Sequence, residues 1–227
     1  MAMSYRQFCP VATAAEIVCE RWNALIIREL VSGCETFNDI RMGVTRISPT
    51  LLSARLKSLE RAGVLCRKQS GRNVTYKLTT AGEDLRPVIT ALGVWGQRWA
   101  RSDMSRRHLD PGYLMWDIRR RIDTGFFPDT RVVLKFEFSD YIGRQRFWWL
   151  VVNRGEVDLC RTDPGYEISL FVTSRLRVLT EIWMGDTSLR RASRDKLVQV
   201  SGDTALKKTM KSWFTLSVVA DIKRGRA

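Results

Sequence analysis

Ile47-Ser48-Pro49-Thr50-Leu51-Leu52-Ser53-Ala54-Arg55-Leu56-Lys57-Ser58-Leu59-Glu60-Arg61-Ala62-Gly63 is the stretch that decides how this chain folds. Ser48 can accept a backbone N–H bond as a helix N-cap. Pro49 suits the first helical position, where its missing N–H would be unpaired anyway, and Gly63 supplies a left-handed stop. Between these signals Leu52, Leu56 and Leu59 recur at i, i+4 and i+7 and form one apolar stripe. Thr50, Ser53, Arg55 and Lys57 lie away from the stripe, so the pattern predicts a helix with one packed and one polar face.

After Gly63 the period changes from 3.6 to 2. Residues 64–68 and 74–78 read as strands, and Gln69-Ser70-Gly71-Arg72-Asn73 supplies turn chemistry and basic charge between them. Upstream, Thr36-Phe37-Asn38-Asp39-Ile40-Arg41-Met42 gives a short capped helix joined to Ser48 through residues 43–47. A helix pair followed at once by a basic hairpin is the arrangement of a winged helix-turn-helix, which lays its second helix in a DNA major groove. On this reading Ser48 caps the helix while Pro49, Thr50, Ser53 and Arg55 approach base edges or nearby phosphates. Arg46, Lys57, Arg67, Lys68, Arg72 and Asn73 mainly anchor the phosphate backbone. The competing reading is a small α+β core element with solvated basic residues, and the capped upstream helix argues against it.

These residues carry a resemblance. Cys9-Pro10-Val11, Arg21-Trp22, Leu30, Phe37-Asn38-Asp39-Ile40, the run from Ile47 through Glu60, Tyr76-Lys77-Leu78-Thr79 and Ala81-Gly82 resemble the HxlR family of bacterial transcriptional regulators. The likeness covers roughly the first hundred residues and implies a dimeric winged-helix repressor or activator.

Composition is consistent with a polyanion partner: 38 Lys+Arg stand against 24 Asp+Glu, for a formal net charge of +14. Charge alone does not separate DNA from RNA or an anionic membrane. No signal peptide is recognised, and the most apolar run, residues 147–152, is far too short to span a bilayer, so a cytoplasmic protein with no membrane partner is expected. Cys9, Cys19, Cys34, Cys66 and Cys160 are odd in number and lack a Cys-x-x-Cys pair, which argues against a disulfide framework and a zinc site. Cys9 precedes Pro10 and a helix start, a position at which a helix dipole acts on a thiol. Some members of the resembled family use a cysteine near this place as an oxidant sensor, but a packed and inert cysteine is the favoured reading of Cys9.

Residues 11–20 and 23–31 read as helices that support the pair from behind. Thr80-Ala81-Gly82-Glu83 matches a capping box and opens a long helix to residue 100. Along it Leu85, Val88, Leu92, Trp95 and Trp99 form a seam that wants a partner helix, and the resemblance implies a homodimer through it. Pro87 is expected to bend this helix. Residues 102–112 are polar, basic and lack apolar periodicity, so they read as a linker between a first domain (1–101) and a second (113–227). His108, the only histidine, falls in that linker. This leaves metal sites and histidine-based catalytic triads without their usual imidazole, and no metal or cofactor is expected.

The second half reads as a helix (113–122), strands at 131–138, 146–152, 156–160, 166–173 and 197–201, and helices near 174–184, 187–193 and 203–216. Short turns imply an antiparallel meander with helices on one side, giving a two-domain α+β chain. Residues 147–152 are apolar on both faces and are expected at the centre. Gly155-Glu156-Val157-Asp158-Leu159-Cys160, Asp163-Pro164-Gly165-Tyr166-Glu167, Leu176 to Thr180, Ile182-Trp183-Met184-Gly185-Asp186 and Val198-Gln199-Val200-Ser201-Gly202-Asp203 are similar to the sterol carrier protein 2 family of lipid-binding domains. That similarity implies an apolar cavity between sheet and helices near Phe136, Trp149, Phe171 and Trp183. The alternative is that the aromatic rings themselves fill it. Three functions compete: a DNA-binding regulator with an apolar effector, a lipid carrier with a nucleic-acid tether, and an enzyme. The last ranks lowest, since no P-loop, dinucleotide fingerprint, nucleophile elbow or metal cluster is written in the sequence.

Overall fold

The computed structural model describes residues 4–100 and 108–225. Residues 1–3, and residues 102–107 of the expected linker, lie outside them. The chain divides into two compact units, with the division between Trp95 and Gly96.

In the first unit, α1 (Pro10–Val18), α2 (Asn23–Val31), α3 (Phe37–Gly43) and α4 (Pro49–Arg61) precede a hairpin of β1 (Leu65–Ser70) and β2 (Asn73–Leu78). The caps fall where the sequence puts them. Thr36 Oγ1 accepts from Asp39 N at the start of α3, and Ser48 Oγ accepts from Leu51 N at 3.2 Å at the start of α4. Leu52, Leu56 and Leu59 point into a core with Ile26, Ile27, Ile40 and Val64, each 5 % exposed or less. Burying a side chain of this size contributes about 1.5–3 kcal/mol.

The hairpin loop is shorter than expected. Ser70 pairs directly with Asn73, leaving only Gly71 and Arg72 between the strands, and Gly71 adopts φ +58°, which a two-residue hairpin loop requires at its first position. The strands therefore run longer and carry Arg72 at the tip. Thr36 bridges to Thr75, and Tyr76 N donates to Glu35 O at 2.8 Å, so the residues before α3 brace the hairpin's outer strand.

The long helix of the sequence reading is interrupted. Its cap is Thr79 rather than Thr80, with Thr79 Oγ1 accepting from Gly82 N, and α5 (Thr80–Glu83) stops before α6 (Arg86–Trp95). Pro87 has no N–H for the ladder, so the chain breaks just before it and restarts with Pro87 in the first turn of α6. Residues Gly96–Ala100 form a wider π turn.

The second unit comprises α7 (Pro111–Arg121), β3 (Val132–Phe138), β4 (Phe147–Asn153), β5 (Glu156–Cys160), β6 (Leu170–Ser174), α8 (Leu176–Trp183), α9 (Leu189–Arg194), β7 (Val198–Gly202) and α10 (Thr204–Trp213). Part of the expected linker belongs to it: Leu109 is buried in its core and Asp110 Oδ1 caps α7. The sheet order is β5-β4-β3-β6-β7, and β3 pairs with β6 in parallel. This corrects the antiparallel meander. After β5 the chain does not turn back but crosses the sheet, so β6 adds beside β3 in the same direction as β3, and β3 rather than β4 is the middle strand. The strand expected from residue 166 begins at Leu170, because residues 161–169 are this crossover.

Strand alternation sorts the side chains. Val132, Leu134, Phe136 and Phe138 of β3 join Trp148, Leu150 and Val152 of β4, Leu170 and Val172 of β6, and the inward faces of α7, α8 and α10 in one core. Val133, Trp149 and Val151 point the other way and form a smaller cluster, against which Ile168 of the crossover packs. The helices thus cover one face and the crossover partly covers the other.

Candidate nucleic-acid interface

The Ser48 cap fixes the N-terminus of α4, and the leucine stripe fixes its rotation. Pro49, Thr50, Ser53 and Lys57 are therefore exposed together, beside exposed Ser48 and Arg46. Small hydroxyl side chains at a helix N-terminus allow close approach of a phosphate or a base edge, and the helix end itself attracts negative charge. In the hairpin Arg67, Lys68, Arg72 and Asn73 are exposed, with Arg67 Nη2 donating to Gln69 Oε1 at 3.0 Å. Lys77 lies 2.9 Å from Glu35 and is held back toward the body of the unit.

Arg55 departs from its expected place. Its guanidinium is ion-paired with Glu20, the residue following the C-cap of α1, and only about a fifth of its side chain is exposed. It is a strut between α4 and α1 rather than a side chain extended toward bases. The sequence reading also passed over Glu29. Its buried carboxylate accepts from Arg28 Nε at 2.9 Å, and Arg28 Nη2 donates to Gly43 O at 2.9 Å, tying α2 to the end of α3. A Cβ on Gly43 would sit 1.9 Å from Glu29 Oε2, so a larger residue there would displace the Glu29 carboxylate. Neither carboxylate carries a sequence signal beyond an acid near helical residues.

Of the expected seam, Val88, Leu92 and Trp95 are 44 %, 49 % and 59 % exposed on α6, no side chain of which is buried, and Leu85 is half-buried. Trp99, itself 52 % exposed, lies past α6 in the π turn. The π turn changes the helical phase, and Trp99 lies against Gly225, whose N–H donates to Arg98 O at 2.8 Å. Cys9 is half-buried at the N-cap of α1, and the five cysteines are free.

The four expected pocket residues do not meet. Phe136 and Trp183 are buried in the core between sheet and helices, with Trp183 Nε1 donating to Asp117 Oδ2 at 2.9 Å. Trp149 and Phe171 both pair across Lys135 and point to the opposite face. The strand period of two separates them, a consequence hidden until the register was known.

Among the described residues no helix is long and apolar enough to cross a membrane, and no group of three or more His, Cys, Asp or Glu is placed to hold a metal ion.

A capped helix pair with a basic two-stranded wing defines the class of winged helix-turn-helix DNA-binding regulators. A family model described as HxlR-like helix-turn-helix matches residues 17–104. YdeP of Bacillus subtilis (strain 168), described as an uncharacterized HTH-type transcriptional regulator, is 35% identical over 94 residues, covering 40% of this chain and 73% of its own length. YvaP from the same organism, described in the same words, is 31% identical over 116 residues, covering 49% of this chain and 99% of its own. Among solved structures, diamide-treated YodB from B. subtilis is 32% identical and covers 40% of this chain and 94% of its own, with a TM-score of 0.35. The chain belongs to the HxlR-like helix-turn-helix family. The family match ends at residue 104 and leaves most of the second unit to its own geometry.

Proposed function

We propose that the chain is a homodimeric, sequence-specific transcriptional regulator whose α4 helices enter successive major grooves and whose wings reach flanking phosphates. The observation that carries this reading is the Ser48-capped helix, which presents Pro49, Thr50, Ser53 and Lys57 beside a wing tipped with Arg72. Val88, Leu92 and Trp95, exposed on a helix with no buried side chain, support α6 as the dimer seam. A gel-shift titration with DNA from upstream of the chain's own gene, set against random DNA over a salt series, tests it. Cognate DNA binds tighter and log affinity falls linearly with log salt. Absence of binding, or binding indifferent to salt and sequence, sinks it.

The second unit acts as a sensor in this proposal. A compound bound there changes DNA affinity by favouring one dimer arrangement, and coupling of about 1–3 kcal/mol shifts operator affinity roughly 5- to 150-fold. Phe136, Trp148, Trp183 and Trp213 occupy the space between sheet and helices, each 2 % exposed or less, which weighs against a wide acyl tunnel there.

A second reading places oxidant sensing at Cys9, favoured by its half-buried position at the N-cap of α1. Diamide treatment followed by gel shift, with Cys9→Ser as control, tests it; an unchanged shift in both proteins removes it.

A further inference from the structure

The face of the five-stranded sheet turned away from the helices carries one continuous row. Cys160 pairs with Trp149, Trp149 with Lys135, Lys135 with Phe171, and Phe171 with Ser201, so one residue from each strand lies side by side on one face. Lys135 is at the middle of this row on the middle strand. Its Nζ stands 4.8 Å from the ring centroid of Phe147, 5.4 Å from that of Trp149 and 5.9 Å from that of Phe171. No carboxylate lies within ion-pair distance of it among the described residues.

Carboxylates flank the row on this face, with Glu156 exposed at its far edge on β5. Glu137, one row along, accepts from Arg146 Nε at 2.9 Å and Nη2 at 2.5 Å, and from Thr173 Oγ1 at 3.5 Å. Asp158 is exposed one row the other way on β5. The aromatic rings attract the ammonium, but each is worth only about 0.5–1 kcal/mol at an exposed site, and none is a counter-ion.

A second observation comes from the indoles. Trp148 Nε1 donates to Gln145 O, Trp183 Nε1 to Asp117 Oδ2 and Trp213 Nε1 to Leu206 O, each at 2.9 Å. Trp149 Nε1 is buried and has no acceptor among the described residues. A buried donor left unpaired costs about 1–3 kcal/mol, so native structures seldom keep one without reason. An unpaired cation and an unpaired N–H thus belong to neighbouring residues of one row, and both want an acceptor.

We propose that this face binds a small planar aromatic carboxylate, its oxygens taken by Lys135 and Trp149 and its ring laid against Phe147 and Phe171. A carboxylate supplies acceptors only, matching a site that offers donors. An aromatic body matches the rings, since offset or edge-on aromatic pairs are worth about 0.5–1.5 kcal/mol beyond burial. The row is exposed at one end only. Ile168 packs on Val133, Trp149 and Val151 at one end, while Phe171 is 39 % exposed and Lys135 and Phe147 are half-exposed at the other. Only the link from this site to DNA rests on the sensor reading above.

Calorimetric titration of the full chain with 2-naphthoate, the uncharged 2-naphthylmethanol and the aliphatic octanoate tests the proposal. 2-Naphthoate saturates a single site per chain and binds tighter than the other two. Lys135→Met weakens it roughly tenfold or more without altering the alcohol, Lys135→Arg retains it, and Trp149→Phe weakens it by a smaller factor. Melting curves of each variant establish that it folds, and if Lys135→Met melts early the arginine and phenylalanine variants decide. Equal binding of acid and alcohol, octanoate as the tightest ligand, indifference to Lys135→Met, or no saturable heat at millimolar 2-naphthoate each overturns it. So does a change of oligomeric state in Lys135→Met, which would mean a second copy covers this face. Binding that leaves operator affinity unchanged retains the site and overturns the sensor reading.

Discussion

Arg55 and Glu20 form an ion pair that joins the outward side of α4 to the end of α1, with about a fifth and a quarter of the two side chains exposed. The side chain that helical spacing assigns to base reading is in this way engaged within its own unit.

Arg55→Ala is therefore expected to lower stability by about 1–2 kcal/mol, between the limits for exposed and buried pairs. Glu20→Ala should cost a similar amount, and the double variant less than the sum, as a shared interaction requires. Loss of DNA affinity in Arg55→Ala should be equal on cognate and random DNA. A loss of cognate affinity alone, with the melting temperature unchanged, would return Arg55 to base reading.

What the sequence disclosed and what it withheld follow from the range of the forces involved. Ser48, Pro49 and Gly63 act within a turn of their own positions, and the α4 boundaries were legible from them. The leucine stripe is equally local, and its inward face followed from helical period alone. Glu20 reaches Arg55 from 35 positions away, and nothing in either neighbourhood announces it. The sheet shows the same division. Alternation along β3 separates its two faces, but β4 is apolar on both and the pairing of β3 with β6 is decided by where the crossover runs, so residues expected in one pocket are distributed by the fold over two faces. Lys135 was passed over because a lone lysine in a strand becomes informative only when its cross-strand neighbours are known.

At the wing tip, Arg72 occupies a two-residue loop and is exposed. Its replacement by alanine should weaken binding to all sequences alike and reduce the slope of log affinity against log salt by about one unit. A sequence-selective loss in gel-shift titrations would instead place Arg72 against a base.

Gly82 lets the wing close on the body of the unit. A Cβ at that position would lie 2.0 Å from Val64 O and 3.0 Å from the Leu78 side chain, while Thr79 N donates to the same carbonyl at 3.1 Å. Because the nearest atom is backbone, relief requires the strands to move, and Gly82→Ala should cost about 1–3 kcal/mol in denaturant melts. A neutral substitution would show that the base of the wing yields easily.

Cys160 ends β5 opposite Trp149, and burial there pushes its thiol pKa up, with the Asp158 carboxylate adding to the shift. A raised pKa leaves less thiolate at any pH below it, so alkylation of Cys160 by iodoacetamide should be slow near neutrality and accelerate about tenfold per pH unit until the pKa is passed. Asp158→Asn removes the repulsive charge, moves the pKa down and speeds the reaction at fixed pH. Peptide mass mapping of the alkylated protein reads both. No change in Asp158→Asn would leave burial as the sole cause.

The α6 stripe allows a seam between two copies to be separated from residues that pack within their own chain. Val88, Leu92 and Trp95 project from a helix with no buried residue, whereas Trp99, past the π turn, lies against Gly225. Leu92→Glu with Trp95→Glu should convert the proposed dimer to a monomer in sedimentation velocity, because unpaired carboxylates would have to be buried in the interface. The monomer should bind operator DNA far more weakly, since the second half-site no longer gains from being tethered to the first. Trp99→Glu should leave the dimer intact and instead lower the stability of the second unit, where its ring packs. If Trp99→Glu dissociates the dimer and the α6 double variant does not, the interface lies beyond the π turn and α6 presents its apolar stripe to another surface.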